Sequence, residues 1–315
     1  MPSEHSLPQT RVAIVGVGQV GSAAAYALIL GRVADELLLV DIKAELRDAQ
    51  VRDLADVAYG NNSGIRVRAA TIQEIGQCDI VVITAGSRYS RGETNVQHLY
   101  HKIAIVQGIV NEARPFRSDT ILLIVANPVD LLTSLAQELS GLPASQVLGS
   151  GTFLDSVRIR GLLAERAGVA TSSVDVQVVG VHGNSEVVAW SGVTIGGVPA
   201  ARWFPDKTSH LAEVANQCKA KSQTIIRAKG GTPFGIGSVV CSICSSILFD
   251  RRDVCCISHY LSDYKCCFSL PVVLGREGVI KAIDMHLDQK EWEDLDESAQ
   301  ELKHMVERLK SDQGL

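Results

Sequence analysis

Arg11-Val-Ala-Ile-Val-Gly16-Val-Gly18-Gln-Val-Gly21-Ser-Ala-Ala-Ala-Tyr-Ala-Leu-Ile-Leu30 is the stretch on which the fold turns. Arg11–Gly16 is a continuously apolar run of strand length, and Gln19–Leu30 is an alanine-rich run of helix length. Between them stands G-x-G-x-x-G. With 27 glycines in 315 residues the motif alone arises easily by chance, so its place between strand and helix carries the weight. A loop there aims the backbone N–H groups of the first helical turn at an anion such as a pyrophosphate. Gly16 permits the tight turn, Gly18 lets the main chain approach the phosphates, and Gly21 lets helix and strand pack closely. A second strand, Glu36–Asp41, ends in a carboxylate 20 residues after Gly21. Asp41 suits hydrogen bonds from an adenosine ribose and repels a 2′-phosphate, and Ile42 offers no compensating cation. The combination predicts a dinucleotide site that takes NAD rather than NADP.

Outward from this unit the alternation continues. Lys43–Ala58 is helical by pattern, Arg66–Ala69 and Asp79–Thr84 are strands, and a polar, arginine-rich segment runs from Ser87 to Thr94. A long helix from Val96 to Ala113, a strand Thr120–Ala126 and a helix Asp130–Ser140 follow. Strands that are apolar throughout, rather than at every second residue, belong to a parallel sheet covered on both faces. After Gly149 the rhythm changes. Phe153–Ala167 reads as a helix, Val174–Val181 and Val187–Ile195 as paired strands, and Ser209–Ala228 and Thr232–Phe249 as helices. A hairpin, Val254–Leu261 with Cys266–Leu274, precedes a charged helix at Asp288–Lys310. The chain therefore divides into an α/β domain over residues 1–149 and an α+β domain over 150–315.

Composition narrows the function. With 30 basic and 35 acidic residues the net charge is −5, which argues against nucleic acid or an anionic membrane as partner. No apolar run approaches the length of a membrane span, and Met1-Pro-Ser-Glu-His-Ser lacks the basic region of a signal peptide, so a soluble, cytoplasmic protein is expected. The eight cysteines include a C-x-x-C at Cys241 and Cys244 and the vicinal pairs Cys255-Cys256 and Cys266-Cys267. Zinc needs four ligands converging on one tetrahedron, whereas neighbours on a strand point to opposite faces. They are read as free buried thiols of a reducing compartment, and no metal site is expected.

Two further pieces carry chemistry. Gly149-Ser-Gly-Thr-Phe-Leu-Asp155-Ser-Val-Arg158 opens the second domain, with Asp155 and Arg158 on one face of a helix. Val179-Gly-Val-His182-Gly183-Asn-Ser185 sets one histidine between glycines after an apolar strand. Taken singly, the first is readable as a surface ion pair and the second as a structural histidine.

Together with the glycine loop, these residues resemble the L-lactate/L-malate dehydrogenase family, the lactate branch and its fungal members above all. Val12–Gly21, Asp41, Ile83–Gly86, Ala126–Asp130, Gly149–Arg158, Gly180–Ser185 and Lys229–Thr232 fall in the family's order and spacing, nearly end to end. The resemblance implies a Rossmann doubly wound parallel sheet followed by an α+β catalytic domain. It also implies hydride transfer between NAD and a small 2-hydroxy or 2-oxo acid, in a homodimer or homotetramer. At matching positions His182 is the expected proton donor and acceptor, Asp155 its orienting partner and Arg158 the fork for the substrate carboxylate. Asn127 is expected at the reacting oxygen and Thr232 in the substrate pocket. Gly16, Gly18, Gln19, Val20, Gly21, Asp41, Thr84, Ala85, Gly86, Val125 and Asn127 are the expected cofactor contacts.

The substrate loop departs from the family. Gly86 and Gly92-Glu93 fix its register, which puts Asn95 where the family has a carbonyl-polarising arginine and Tyr89 at the substrate-discriminating position. Tyr89 has no charge for a second carboxylate, while Arg88 and Arg91 stand nearby on the same loop. Asn184 replaces the usual aspartate beside the histidine, and His98 and His101 read as helix-face residues. A weak or silent NAD-binding paralogue stays open as an alternative, as does a dehydrogenase for a bulkier 2-oxo acid or malate. Arg160 matches a phosphate-binding position of bacterial relatives, but Asp175 at its companion position would repel phosphate, so that regulation is not expected.

Overall fold

The computed structural model describes residues 9–87, 91–204 and 207–313. The first half runs β1 (Arg11–Val15), α1 (Gln19–Leu30), β2 (Glu36–Val40), α2 (Ala44–Gly60), β3 (Arg66–Ala69) and β4 (Ile80–Ile83). It continues through α3 (Asn95–Ala113), β5 (Ile121–Ile124), α4 (Val129–Ser140) and β6 (Val147–Gly149). The strands are parallel and lie in the order β6-β5-β4-β1-β2-β3, so the winding reverses between β1 and β4. Every residue of β4 and β5 is buried, as expected of strands covered on both faces.

Alternate residues of these strands feed two cores. Val12 and Ile14 of β1 pack with Ala24 and Leu28 of α1 on one face, while Ala13 and Val15 join Ile103 and Val106 of α3 on the other.

The second half begins with α5 (Phe153–Ala167), then β7 (Val174–Asp175), β8 (Val178–Val179), β9 (Val187–Val188), β10 (Thr194–Ile195) and β11 (Val198–Pro199). There follow α6 (Ala200–Trp203), α7 (Lys207–Lys229), α8 (Pro233–Leu248), β12 (Asp253–Leu261), β13 (Cys266–Gly275), β14 (Gly278–Ala282) and α9 (Gln289–Gln313). Ser258 of β12 pairs antiparallel with Gly149 of β6, so one nine-stranded sheet runs through both halves. The two long strands expected over 174–181 and 187–195 are instead each broken in two. β7 pairs with β10, and β8 with β9, all antiparallel. The break lets Val178 donate its N–H to Ser156 Oγ of α5 at 2.9 Å instead of continuing a ladder.

Cys255 and Cys256 face opposite cores, so the pair cannot serve one ion together. Burial pushes the thiols of Cys255, Cys256 and Cys266 up to about 12, which keeps them protonated. Among the described residues no single helix is long and apolar enough to cross a membrane.

Candidate active site

The parallel strands all end on one edge of the sheet, and the expected site residues follow those ends. The glycine loop leaves β1, Asp41 follows β2, Thr84–Gly86 follow β4, and Val125 to Asn127 follow β5. The crevice at the β1/β4 reversal is where such sheets bind ligands. Gly16 has φ +90°, and a β-carbon on it would lie 2.6 Å from the Ala85 main chain. At Gly21 a β-carbon would stand 2.0 Å from Gly16 O and 2.8 Å from Thr84 Oγ1, so only glycine lets α1 approach this closely. Gly18, by contrast, faces open space: its chain neighbours aside, no atom of the described residues lies within 4 Å of a β-carbon position, which leaves room for a phosphate group. Gln19 and Val20 form the first turn of α1 behind it, with its N–H groups facing the same space.

Asp41 ties the crevice together. Its Oδ2 accepts from Val17 N at 2.9 Å, and Oδ1 from Lys43 N at 2.9 Å just ahead of α2. Thr84 Oγ1 donates to Gly16 O at 2.5 Å, joining the ends of β4 and β1. From the second half, Gly231 comes within 3.8 Å of Gln19 Oε1, measured from its β-carbon position. That approach brings Thr232, half-buried at the head of α8, to the mouth of the glycine loop.

The expected acid/base pair is set by β8 and α5. Thr152 donates its N–H to Ser269 Oγ at 3.0 Å and its hydroxyl to Val178 O, fixing the start of α5 against β8. Gly180 exchanges both main-chain hydrogen bonds with the same Ser269, at 2.8 and 3.0 Å, which aims the next residues across α5. The outcome is His182 Nδ1 at 2.9 Å from Asp155 Oδ2, while Arg158 Nη1 lies 2.9 Å from Asp155 Oδ1. Asp155 and Arg158 are both buried, so they are not a surface ion pair. His182 keeps 28% of its side chain exposed, and with Nδ1 against carboxylates, Nε2 is the nitrogen left for a ligand.

Two carboxylates that the sequence reading gave no role also touch His182. Glu186 Oε2 lies 3.5 Å from Nδ1, and buried Asp130 accepts the His182 main-chain N–H at 2.7 Å. Glu186 stands four residues after a histidine in a glycine loop, where no helical spacing flags it. Asp130 is 52 residues away, in the quoted Ala126–Asp130 stretch but without a spacing that points at His182. Burial alone would lower the imidazole pKa, but Asp155 and Glu186 outweigh it and raise it to about 10. Burial raises the Asp130 carboxyl to about 6, against the pull of the His182 N–H.

On the substrate loop, Tyr89 and Arg88 lie outside the described residues. Asn95 is the first residue of α3, exposed, just after a capping box made by Thr94 and Gln97. Glu93 is held by His98 Nδ1 at 3.2 Å and His101 Nδ1 at 3.3 Å, so those histidines fasten the end of the loop to α3. Asn127 is exposed at the end of β5, directly ahead of α4 and Asp130.

Residues 10–149 match the family described as lactate/malate dehydrogenase, NAD binding domain, and residues 152–313 match its alpha/beta C-terminal domain. The chain is 40% identical over 299 residues to the L-lactate dehydrogenase A of Rhizopus oryzae, covering 93% of this chain and 91% of that one. It is 35% identical over 303 residues to an L-lactate dehydrogenase of a Synechococcus species, covering 94% and 98%. Among solved structures it is similar to the minor L-lactate dehydrogenase of Enterococcus mundtii in the ligands-bound form, with a TM-score of 0.91 at 33% identity, covering 95% of this chain and 98% of that one.

Proposed function

Since this chain belongs to the lactate/malate dehydrogenase family and is an NAD-dependent 2-hydroxyacid dehydrogenase, we propose that His182 is its proton donor and acceptor, with Asp155 and Arg158 as its partners. The single observation that carries this reading is the buried carboxylate of Asp155, which holds His182 by one oxygen and Arg158 by the other. One carboxylate thereby positions both the proton donor and the cation suited to a substrate carboxylate.

NAD fits the crevice by an independent feature: open space at Gly18 beside the first turn of α1, with Asp41 at the ribose end. When bound it supplies the hydride in reduction and accepts it in oxidation. During reduction His182 gives its Nε2 proton to the oxygen of the 2-oxo acid and becomes neutral. Asp155 favours the cation that precedes that transfer and holds the ring by Nδ1. Arg158 presents a planar fork to the substrate carboxylate, orienting the carbonyl between His182 and the cofactor crevice. Asn127 donates to the reacting oxygen, and Thr232 lines the pocket. Gln19, Val20, Thr84, Ala85, Gly86 and Val125 border the cofactor.

L-lactate dehydrogenation, the activity in the relatives' names, is the reading for the substrate. Tyr89 and Asn95 leave a bulkier 2-oxo acid as the second reading, because Tyr89 offers an aromatic ring on which a larger side chain can stack and Asn95 lacks the charge of the family's arginine. We place the enzyme in the cytoplasm as a homodimer or homotetramer. Free, protonated thiols support the first, and Tyr59 on α2 and Phe234 on α8, 77% and 74% exposed, support self-association.

A steady-state assay of NADH oxidation against short, branched, aromatic and dicarboxylic 2-oxo acids tests the reading. Turnover of pyruvate or a bulkier monocarboxylic acid is expected, and its abolition in His182→Ala with NADH affinity retained. Tight NADH binding without turnover of any of these acids would leave a silent NAD-binding protein instead.

A further inference from the structure

We propose that Glu186 is a second carboxylate partner of His182 Nδ1, a positioning residue that, together with Asp155, stabilises the imidazolium from which the proton is given. The inference rests on the reading of His182 as the proton donor.

The geometry has three parts. Glu186 Oε2 is 3.5 Å from Nδ1 and its side chain is only 7% exposed, so the interaction is poorly screened. The same oxygen accepts the Gly183 N–H at 3.3 Å, which pins the carboxylate to the loop that carries His182. Glu186 also lines a cavity of about 620 Å³. Asp130, the other carboxylate at this loop, is fully buried and touches only the main chain of His182, so it cannot replace Glu186 at the ring.

The charges around His182 come from several elements. α5 presents Asp155 and Arg158, and α4 presents Asp130. From α7, Lys219 donates to Asn184 O at 3.1 Å, and the thiol of Cys218 lies against Asp155 O. Around the cavity behind Glu186 stand Asp288, just ahead of α9, and Lys290, Glu291, Asp294, Glu297 and Glu301 along its first half. Among the described residues, Asp155 and Glu186 are the carboxylates that reach Nδ1. The family's usual aspartate near this loop is Asn184 here, so Glu186 is the loop's own acidic group.

The test is the protonation midpoint of His182, followed by NMR of histidine-labelled full-length protein and assigned with His182→Gln. It is read beside the pH profile of kcat/KM for 2-oxo acid reduction. Glu186→Gln keeps an oxygen for the Gly183 N–H and removes the charge, and its midpoint is expected to fall by about 1 pH unit, tenfold in proton affinity. Glu186→Asp withdraws the carboxylate by one methylene and is expected between wild type and Gln. It carries the same test should Glu186→Gln not fold. A folded variant whose midpoint equals the wild type's overturns the proposal, even if its rate is lower, because a merely structural residue would lower rates without moving the midpoint. Ordered midpoints in a protein that turns nothing over would uphold Glu186 and overturn the function proposed above.

Discussion

The main-chain N–H of His182 donates to Oδ2 of Asp130 at 2.7 Å, joining the loop after β8 to the first turn of α4 across 52 residues. Asp130 is three residues beyond Asn127, so one buried carboxylate fixes the proposed proton donor relative to the residue proposed to bind the reacting oxygen. An ionised acceptor makes the stronger anchor. With the Asp130 pKa raised to about 6, that anchor weakens as the pH falls through 6, while His182 stays protonated. The acid limb of kcat/KM for reduction is therefore expected near pH 6. Asp130→Asn should abolish the limb and hold the rate about tenfold low at pH 8, the difference between a charged and a neutral acceptor. Profiles of both proteins between pH 4.5 and 8 check this, and an unchanged limb in the Asn variant would count against the anchor.

His182 gives a second pH dependence, of opposite sense. Its pKa is raised from 6.5 to about 10 in the folded state, so the folded protein binds this proton more tightly than the unfolded chain does. The resulting stability is complete below 6.5 and is lost as the pH rises through about 10. Thermal unfolding of wild type should therefore decline across that window, and His182→Gln should decline less. Equal slopes of Tm against pH in the two proteins would exclude the linkage.

The parts of the site legible in the sequence are those whose chemistry is local. Gly16, Gly18 and Gly21 lie within one turn between a strand and a helix, and Asp41 ends the next strand, so spacing together with the strand–helix order gives their places. Asp155 and Arg158 share a helix face. Asp130 and Glu186 were not legible, because their partner is reached through tertiary packing and no periodicity encodes it. The same holds for the sheet. β1, β4 and β5 announce themselves as continuous apolar runs, whereas β6 has three residues and its place is fixed by pairing with β5 and β12. The segment 174–195 has strand-like composition, yet Ser156 and Ser269 capture its main-chain groups and break it into two-residue pieces.

Asn95 offers a gain-of-function prediction. It opens α3 directly after the Thr94–Gln97 capping box, so its position is set by helix geometry whatever side chain it carries. In the role proposed for this position a cation would act on the charge that develops on the substrate oxygen, and removing such a donor costs on the order of 10²–10³ in rate. Asn95→Arg is expected to raise kcat on pyruvate at least tenfold by that reasoning. An unchanged kcat would show that another cation, Arg88 or Arg91, already fills the role.

The role proposed for Arg158 calls for both charge and shape. Its guanidinium is 8% exposed and paired with Asp155 at 2.9 Å, so lysine would retain the charge but lose the planar fork. Arg158→Lys is expected to lower kcat/KM for the 2-oxo acid about 10²-fold, the cost of a lost charged hydrogen bond and a poorly oriented carboxylate. NADH affinity should stay within a few-fold of wild type, because Arg158 belongs to α5 and not to the glycine loop. Measuring kcat/KM alongside NADH binding by fluorescence separates the two effects. A parallel loss of both would mean that Arg158 supports the fold of the crevice, and that the substrate carboxylate is held elsewhere.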